Sequence, residues 1–204
     1  MSGELRLEGK NAKRAVGMLK RVTRLLERNG IPYLLEAGTL LGVIREDRLL
    51  PWDNDLDLTI TRTYEKKLLK HVWKLKLFGY KVRVRRYTKD LGYFKEGEVR
   101  IVKVWYLNPY RFFKKEILLD IFIKRKIGDE YYWTVGLKPA VLKSVPETFY
   151  DNLTKHRFSD KEFSVPKDFE GYLECHYGKN WRTPVKEWNF RTDDCSVREI
   201  LDEC

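Results

Sequence analysis

Apolar residues recur three and four apart between Asn11 and Asn29. Ala15, Met18, Leu19, Val22, Leu25 and Leu26 share one face, which predicts an amphipathic helix, and Gly30 stands where a C-terminal cap belongs. Ile31-Pro-Tyr-Leu-Leu-Glu36 is a short apolar run and predicts a strand. Ala37-Gly38-Thr39-Leu40-Leu41-Gly42 then reads as a small-residue turn opening a helix that reaches about Glu46, and a further strand is expected from Leu56 to Thr61. Tyr64, Leu68, Val72 and Leu75 mark one face of a second long helix, ended by Gly79. Tyr80 to Tyr87 alternates as a strand, Tyr93 to Val99 reads as a hairpin around Glu96-Gly97, and Val99 to Leu107 alternates again. Strands are also expected at 117–124 and 129–136, and a short helix from Lys167 to His176. Helices alternate with strands early and hairpins follow, so the expected class is α+β (or α/β) with a mixed sheet. No repeat, linker or low-complexity segment interrupts the pattern.

Composition narrows the picture. The 204 residues fit one domain, 1–204, with about 150–204 packing as a helical or irregular extension. No apolar run approaches the roughly 20 residues of a membrane helix. Met1-Ser-Gly-Glu-Leu-Arg6 has no signal-peptide apolar region, so a cytoplasmic chain is expected. Cys175, Cys195 and Cys204 form no CxxC, and with only His71, His156 and His176 beside them a structural zinc site is not expected. The net charge is +11 and unevenly spread. Lys81 to Lys89 carries five positive charges and no acid, whereas Thr192 to Cys204 carries five acids against Arg198 alone. A basic surface favours polyanions such as nucleotides, nucleic acid or anionic lipid, although a solvated strand face accounts for any single residue of it.

The candidate chemistry is concentrated in Pro51-Trp52-Asp53-Asn54-Asp55-Leu56-Asp57. In a strand, Asp55 and Asp57 point to one face while Leu56 and Leu58 point into a core. Adjacent carboxylates repel unless a cation lies between them, and hard oxygen ligands suit Mg²⁺ or Mn²⁺. The competing reading is a solvated acidic turn. The Gly38-Thr39 turn upstream opens a helix, whose N-terminal N–H groups bind phosphate well. Ile117-Leu-Leu-Asp120-Ile-Phe-Ile123 is an apolar run broken by one Asp, which a buried strand tolerates poorly unless that Asp is paired or on a metal.

The stretch Tyr33-Leu-Leu-Glu-Ala-Gly-Thr-Leu-Leu-Gly-Val-Ile-Arg45, followed by Leu50-Pro-Trp-Asp-Asn-Asp-Leu-Asp57, resembles the signature of the LicD/fukutin family. The chain departs from it at Asn54, where Asp is usual, and at Glu46-Asp-Arg48, where His-Lys-Gly is common. Asp120-Ile-Phe-Ile resembles the family's Asp-Ile-Phe-Pro segment without its Pro. Val165-Pro166, Tyr177-Gly178 and Trp181 to Pro184 resemble its C-terminal pattern.

The resemblance implies a nucleotidyltransferase-like mixed sheet flanked by helices. It also implies transfer of a phospho-alcohol, such as phosphocholine or a polyol phosphate, from a CDP-alcohol to a glycan hydroxyl with release of CMP. Asp55, Asp57 and Asp120 would be catalytic and hold Mg²⁺ or Mn²⁺, with Asp120 also a candidate general base. Gly38, Thr39, Arg45, Glu36 and Trp52 would contact substrate. The acceptor would be a glycan or lipid-linked glycan, with weak peripheral contact to the inner face of an anionic membrane, and nucleic acid is not an expected partner. Two alternatives stay open: nucleotidyl transfer from an NTP to a sugar phosphate, small molecule or RNA end, and a non-catalytic basic RNA-binding or scaffold protein.

Overall fold

The computed structural model describes residues 6–106, 117–136, 139–185 and 188–201. Leu107, the last residue of one expected strand, and Cys204 lie outside the described residues.

The first helix, α1 (Gly9–Arg28), buries the face its periodicity marks, including Ala15, Met18, Leu19, Val22, Leu25 and Leu26. Gly30 takes a positive φ just past its end, and Ile31 N–H reaches back to the Leu26 carbonyl, closing the helix as a glycine cap does. The expected strand at 31–36 shrinks to β1 (Leu34–Leu35). Pro32 supplies no N–H for a ladder, and Ala37 turns the chain with φ +47° into α2 (Ala37–Glu46). Next come β2 (Asp55–Thr61), α3 (Glu65–His71), β3 (Tyr80–Arg86) and β4 (Val99–Tyr106).

The helix expected between Tyr64 and Gly79 is broken. Three-residue-per-turn segments, Arg62–Tyr64 and Val72–Phe78, flank α3. Val72 and Leu75, three apart, both face the core, a spacing that a 3₁₀ turn satisfies. Of the hairpin expected around Glu96-Gly97 the turn forms, with Gly97 at positive φ and Glu98 N–H on the Lys95 carbonyl, but the paired strands are β3 and β4, and β3 ends at Arg86. A turn at Leu91–Phe94 sits inside a longer β3–β4 connection, because Phe94 is drawn into a small core against Tyr87, with rings stacked at 4.7 Å.

The remaining elements are β5 (Leu118–Ile127), β6 (Glu130–Val135), β7 (Ala140–Pro146), α4 (Thr148–Asp151), β8 (Leu153–Phe158), β9 (Lys161–Pro166), α5 (Phe169–Tyr177) and β10 (Val197–Leu201). Strand β5 organises the sheet. Its first half lies between β2, parallel, and β4, antiparallel, and its last residues pair with β6, which leads to β7 and β10. The part after residue 150, expected as helical or irregular, contains α5 but also the β8–β9 pair and β10, which joins the main sheet. The result is an α+β arrangement of parallel and antiparallel strands flanked by helices, as the alternating pattern predicts. The core lies between the sheet and the helices, with Leu56, Leu58, Leu119, Ile121, Val102 and Val104 from the sheet all inaccessible to solvent.

Candidate active site

On β2, Asp55 and Asp57 stand on the face opposite Leu56 and Leu58, which are fully buried. Strand β5 runs parallel alongside with Asp120 directly opposite Asp57. One oxygen from each of Asp55, Asp57 and Asp120 lies within 4.8 Å of the others, which among the described residues makes them the group of acids placed to share a cation. The lone Asp in an apolar strand is therefore neither on an edge nor in solvent. Asp120 is 6% exposed. Its Oδ2 accepts from Lys103 Nζ on β4 at 2.5 Å, and its Oδ1 is buried with no hydrogen-bond partner.

The electrostatics record the crowding. Burial, then the charges of Asp55, Asp53 and Asp120, push the Asp57 carboxyl well above the usual range. Burial and the Asp53 charge push Asp55 up to about 7. Burial raises Asp120 as well, although Lys103 pulls the other way. A carboxylate cluster that resists ionisation, with an unpartnered buried oxygen, fits a hard divalent cation, which would supply the missing positive charge.

Asp53 belongs beside this group and was not among the residues picked from sequence. The period-two spacing of Asp53, Asp55 and Asp57 is the signal that would have found it. Its carboxylate leans over the start of α2, so close that a Cβ on Gly38 would fall 2.2 Å from Oδ2. Gly42, one turn on, faces the backbone of Arg48 and Leu50 in the same way, at 2.6 and 3.0 Å. The two glycines of Gly38-Thr-Leu-Leu-Gly42 therefore let the 48–53 segment pack directly against α2 and bring the acids to its N-terminus.

The other sequence-picked residues divide. Gly38 and Trp52 line the cavity beside the acids, and Trp52 is half exposed. The Thr39 hydroxyl is engaged, accepting from Asp57 N–H at 2.9 Å, so it fixes β2 to α2. Arg45 lines the same cavity but pairs with Glu46 at 2.6 Å and donates to the Trp181 carbonyl, tying the C-terminal segment to α2. Glu36 is nearly inaccessible. It accepts from Thr59 (2.6 Å), Lys124 (2.9 Å), Tyr150 (3.1 Å) and Tyr172. Burial works to raise its carboxyl, but Lys124, His176 and these hydrogen bonds hold it below the ordinary value. Burial in turn brings the Lys124 ammonium down to about 8 despite Glu36.

The cavity, about 500 Å³, extends from the acids to residues that the sequence reading did not assign. Trp133, Tyr177, Trp181 and Trp188 line it. So do Lys143, His176 and Asp194, which form a chain: Lys143 Nζ lies 2.6 Å, and His176 Nδ1 3.2 Å, from Asp194 Oδ2. These residues come from β6, β7, α5 and the segment after it, and no local motif links them.

The family profile described as LicD/FKTN/FKRP, nucleotidyltransferase domain, matches residues 30–168. The chain is 26% identical over 188 residues to ribitol-5-phosphate transferase FKTN of Mus musculus, covering 91% of this chain and 37% of that protein. It is 30% identical over 177 residues to the uncharacterized protein RP689 of Rickettsia prowazekii (strain Madrid E), covering 84% of this chain and 57% of that one. Over 39 residues it is 49% identical to ribitol 5-phosphate transferase FKRP of Homo sapiens. The matched part of the chain thus spans between about a third and somewhat over half of the length of these relatives. With the profile covering both the Gly38-Thr39 turn and all three clustered aspartates, the chain belongs to the LicD/FKTN/FKRP nucleotidyltransferase-domain family.

Proposed function

We propose that this chain transfers a phospho-alcohol group, ribitol phosphate or a close polyol relative, from a CDP-alcohol to a hydroxyl of a glycan, releasing CMP. The observation that carries this reading is the meeting of Asp55, Asp57 and Asp120 across two parallel strands, next to the N-terminus of α2 and at the wall of an aromatic cavity. The names of the FKTN and FKRP relatives support ribitol phosphate as the group moved.

Asp55, Asp57 and Asp120 would hold Mg²⁺ or Mn²⁺. When bound, the cation supplies charge neutralisation at the phosphates of donor and leaving group. Ala37 and Gly38, at the positive end of α2, offer backbone N–H groups to a phosphate in the cavity they line. Lys103 restrains one oxygen of Asp120, leaving the other to act on cation or acceptor hydroxyl. A carboxyl whose affinity for protons is raised is also better suited to take that hydroxyl's proton. Trp52, Trp181 and Trp188 give flat faces on which a cytosine ring can stack.

The test is incubation with Mg²⁺ and CDP-ribitol, CDP-glycerol or CDP-choline, with products identified by mass. Release of CMP from a CDP-alcohol, with water standing in for the acceptor, is the expected result. Pyrophosphate release from an NTP would replace this reading with nucleotidyl transfer. Inertness together with absence of Mg²⁺ binding would replace it with a non-catalytic role.

A further inference from the structure

From Lys66 to Lys89 the chain carries ten lysines and arginines and no Asp or Glu. The fold gathers this segment at one margin of the molecule. It forms α3, the 3₁₀ segment Val72–Phe78 and β3, which pairs only with β4 among the described strands. Within it three large apolar side chains face solvent: Trp73 at 52%, Leu77 at 73% and Phe78 at 52% exposure. Lys70 and Lys76 stand exposed beside them, and Arg21 of α1 lies over the Phe78 ring at 5.8 Å. Around His71, burial and then Lys74, Lys70 and Lys67 keep the imidazole below its ordinary value, a local sign of the same positive field. On β3, Lys81, Arg83 and Arg85 are exposed, and Arg83 falls in one cross-strand row with Lys103, Asp120 and Asp57. The basic margin is therefore continuous with the sheet face that carries the site.

Charged side chains on an edge strand also discourage pairing with another chain. That purpose does not call for an exposed Trp, Leu and Phe next to them. Folding gains nothing from leaving these three in water, and large apolar side chains exposed among cations mark an interaction surface.

We propose that this margin docks on an anionic phospholipid surface, with Trp73, Leu77 and Phe78 entering the headgroup region and the surrounding lysines and arginines facing lipid phosphates. Lysines near an anionic leaflet are attracted to it, and aromatic residues favour the membrane interface. Trp73 and Phe78 would also serve to stack nucleic-acid bases. Leu77, the most exposed of the three, has no ring to stack, whereas in lipid it buries its whole side chain. The inference stands on charge and exposure, independently of the reaction proposed above.

Sedimentation of the full chain with phosphatidylcholine vesicles, with and without phosphatidylserine, tests it. Binding is expected with phosphatidylserine only, weakened by high salt. Trp73→Ser/Leu77→Ser/Phe78→Ser should lower vesicle affinity about tenfold while keeping wild-type circular dichroism. If that variant does not fold, Leu77→Ser alone, at the most exposed of the three positions, should still weaken binding severalfold. Equal binding to neutral vesicles, unchanged binding by the folded variant, or tighter binding to single-stranded RNA than to anionic vesicles would overturn the proposal. So would a concentration-dependent dimer abolished by the same substitutions, which would make the margin a contact between copies.

Discussion

Asp57 and Asp120 face each other in register across two parallel strands, and the only cation within hydrogen-bond reach of Asp120 among the described contacts is Lys103, at 2.5 Å from Oδ2. Two acids with one lysine in reach are undercharged on the positive side, because Arg83, the other cation of the row, lies one strand further out and is exposed. That imbalance sets the behaviour expected of the metal-free protein.

Asp55→Asn, Asp57→Asn and Asp120→Asn should each reduce turnover by more than about a hundredfold, beyond what outer-shell partners of a metal cost. Melting of the metal-free variants should hold steady or rise, since each removes one like charge. Near wild-type turnover in any two of them would dismantle the assignment of the site.

The pH dependence has a definite sign. Asp55, raised to about 7, and Asp57, raised well above the ordinary carboxylate range, bind protons more tightly folded than unfolded. The contribution of Asp55 is fully present below the unfolded carboxylate value near 4 and is lost as pH rises through about 7, and that of Asp57 is lost in the same direction. Glu36 and Asp194 are shifted the other way and contribute losses only on acidification. In EDTA, the melting temperature of Asp55→Asn relative to wild type should climb between about pH 4 and pH 7. A constant difference across that window would show that Asp55 is not strained by its neighbours.

Mg²⁺ or Mn²⁺ should raise the melting temperature, and a cytidine diphosphate-alcohol should raise it further only with the cation present. A ligand at a hundredfold excess over its Kd stabilises by about 2.7 kcal/mol. Equal stabilisation by nucleotide in EDTA would separate nucleotide binding from the acids.

The two glycines of α2 should fail differently. A Cβ at Gly38 meets the end of the Asp53 side chain, so Gly38→Ala should leave the fold nearly intact and reduce turnover by displacing that carboxylate. A Cβ at Gly42 meets the backbone of Arg48 and Leu50, so Gly42→Ala should cost about 1–3 kcal/mol by denaturant unfolding. Equal losses of stability would mean that the 48–53 segment moves as freely as a side chain.

Lys124→Met should cost about 3–5 kcal/mol, because it leaves Glu36 charged and buried without its ion-pair partner. Adding Glu36→Gln should recover much of that loss. A double variant no more stable than the single one would indicate that the lysine acts through packing on Trp133, whose ring it covers, rather than through charge.

Whatever depends on periods of a few residues is already legible along the chain. The buried face of α1, the cap at Gly30, the placement of Asp55 and Asp57 on one side of a strand, and the shared face of Lys81, Arg83 and Arg85 follow from helical and strand repeats. The Gly-Thr turn and the acidic strand were legible because turn and strand chemistry is local. Folding sets which strand lies beside β2, and so that Asp120 meets Asp57 and takes Lys103 as its counter-ion. It also turned Glu36, adjacent to the turn, into the acceptor of a buried network with Lys124, Tyr150 and Tyr172, and gathered Lys143, His176 and Asp194 behind the acids. The break in the helix after His71 and the exposure of Leu77 belong to the same class. One cause is common to all of these. Burial and charge pairing act between side chains far apart in the chain, and their strength depends on which surfaces the fold removes from water, which no local repeat encodes.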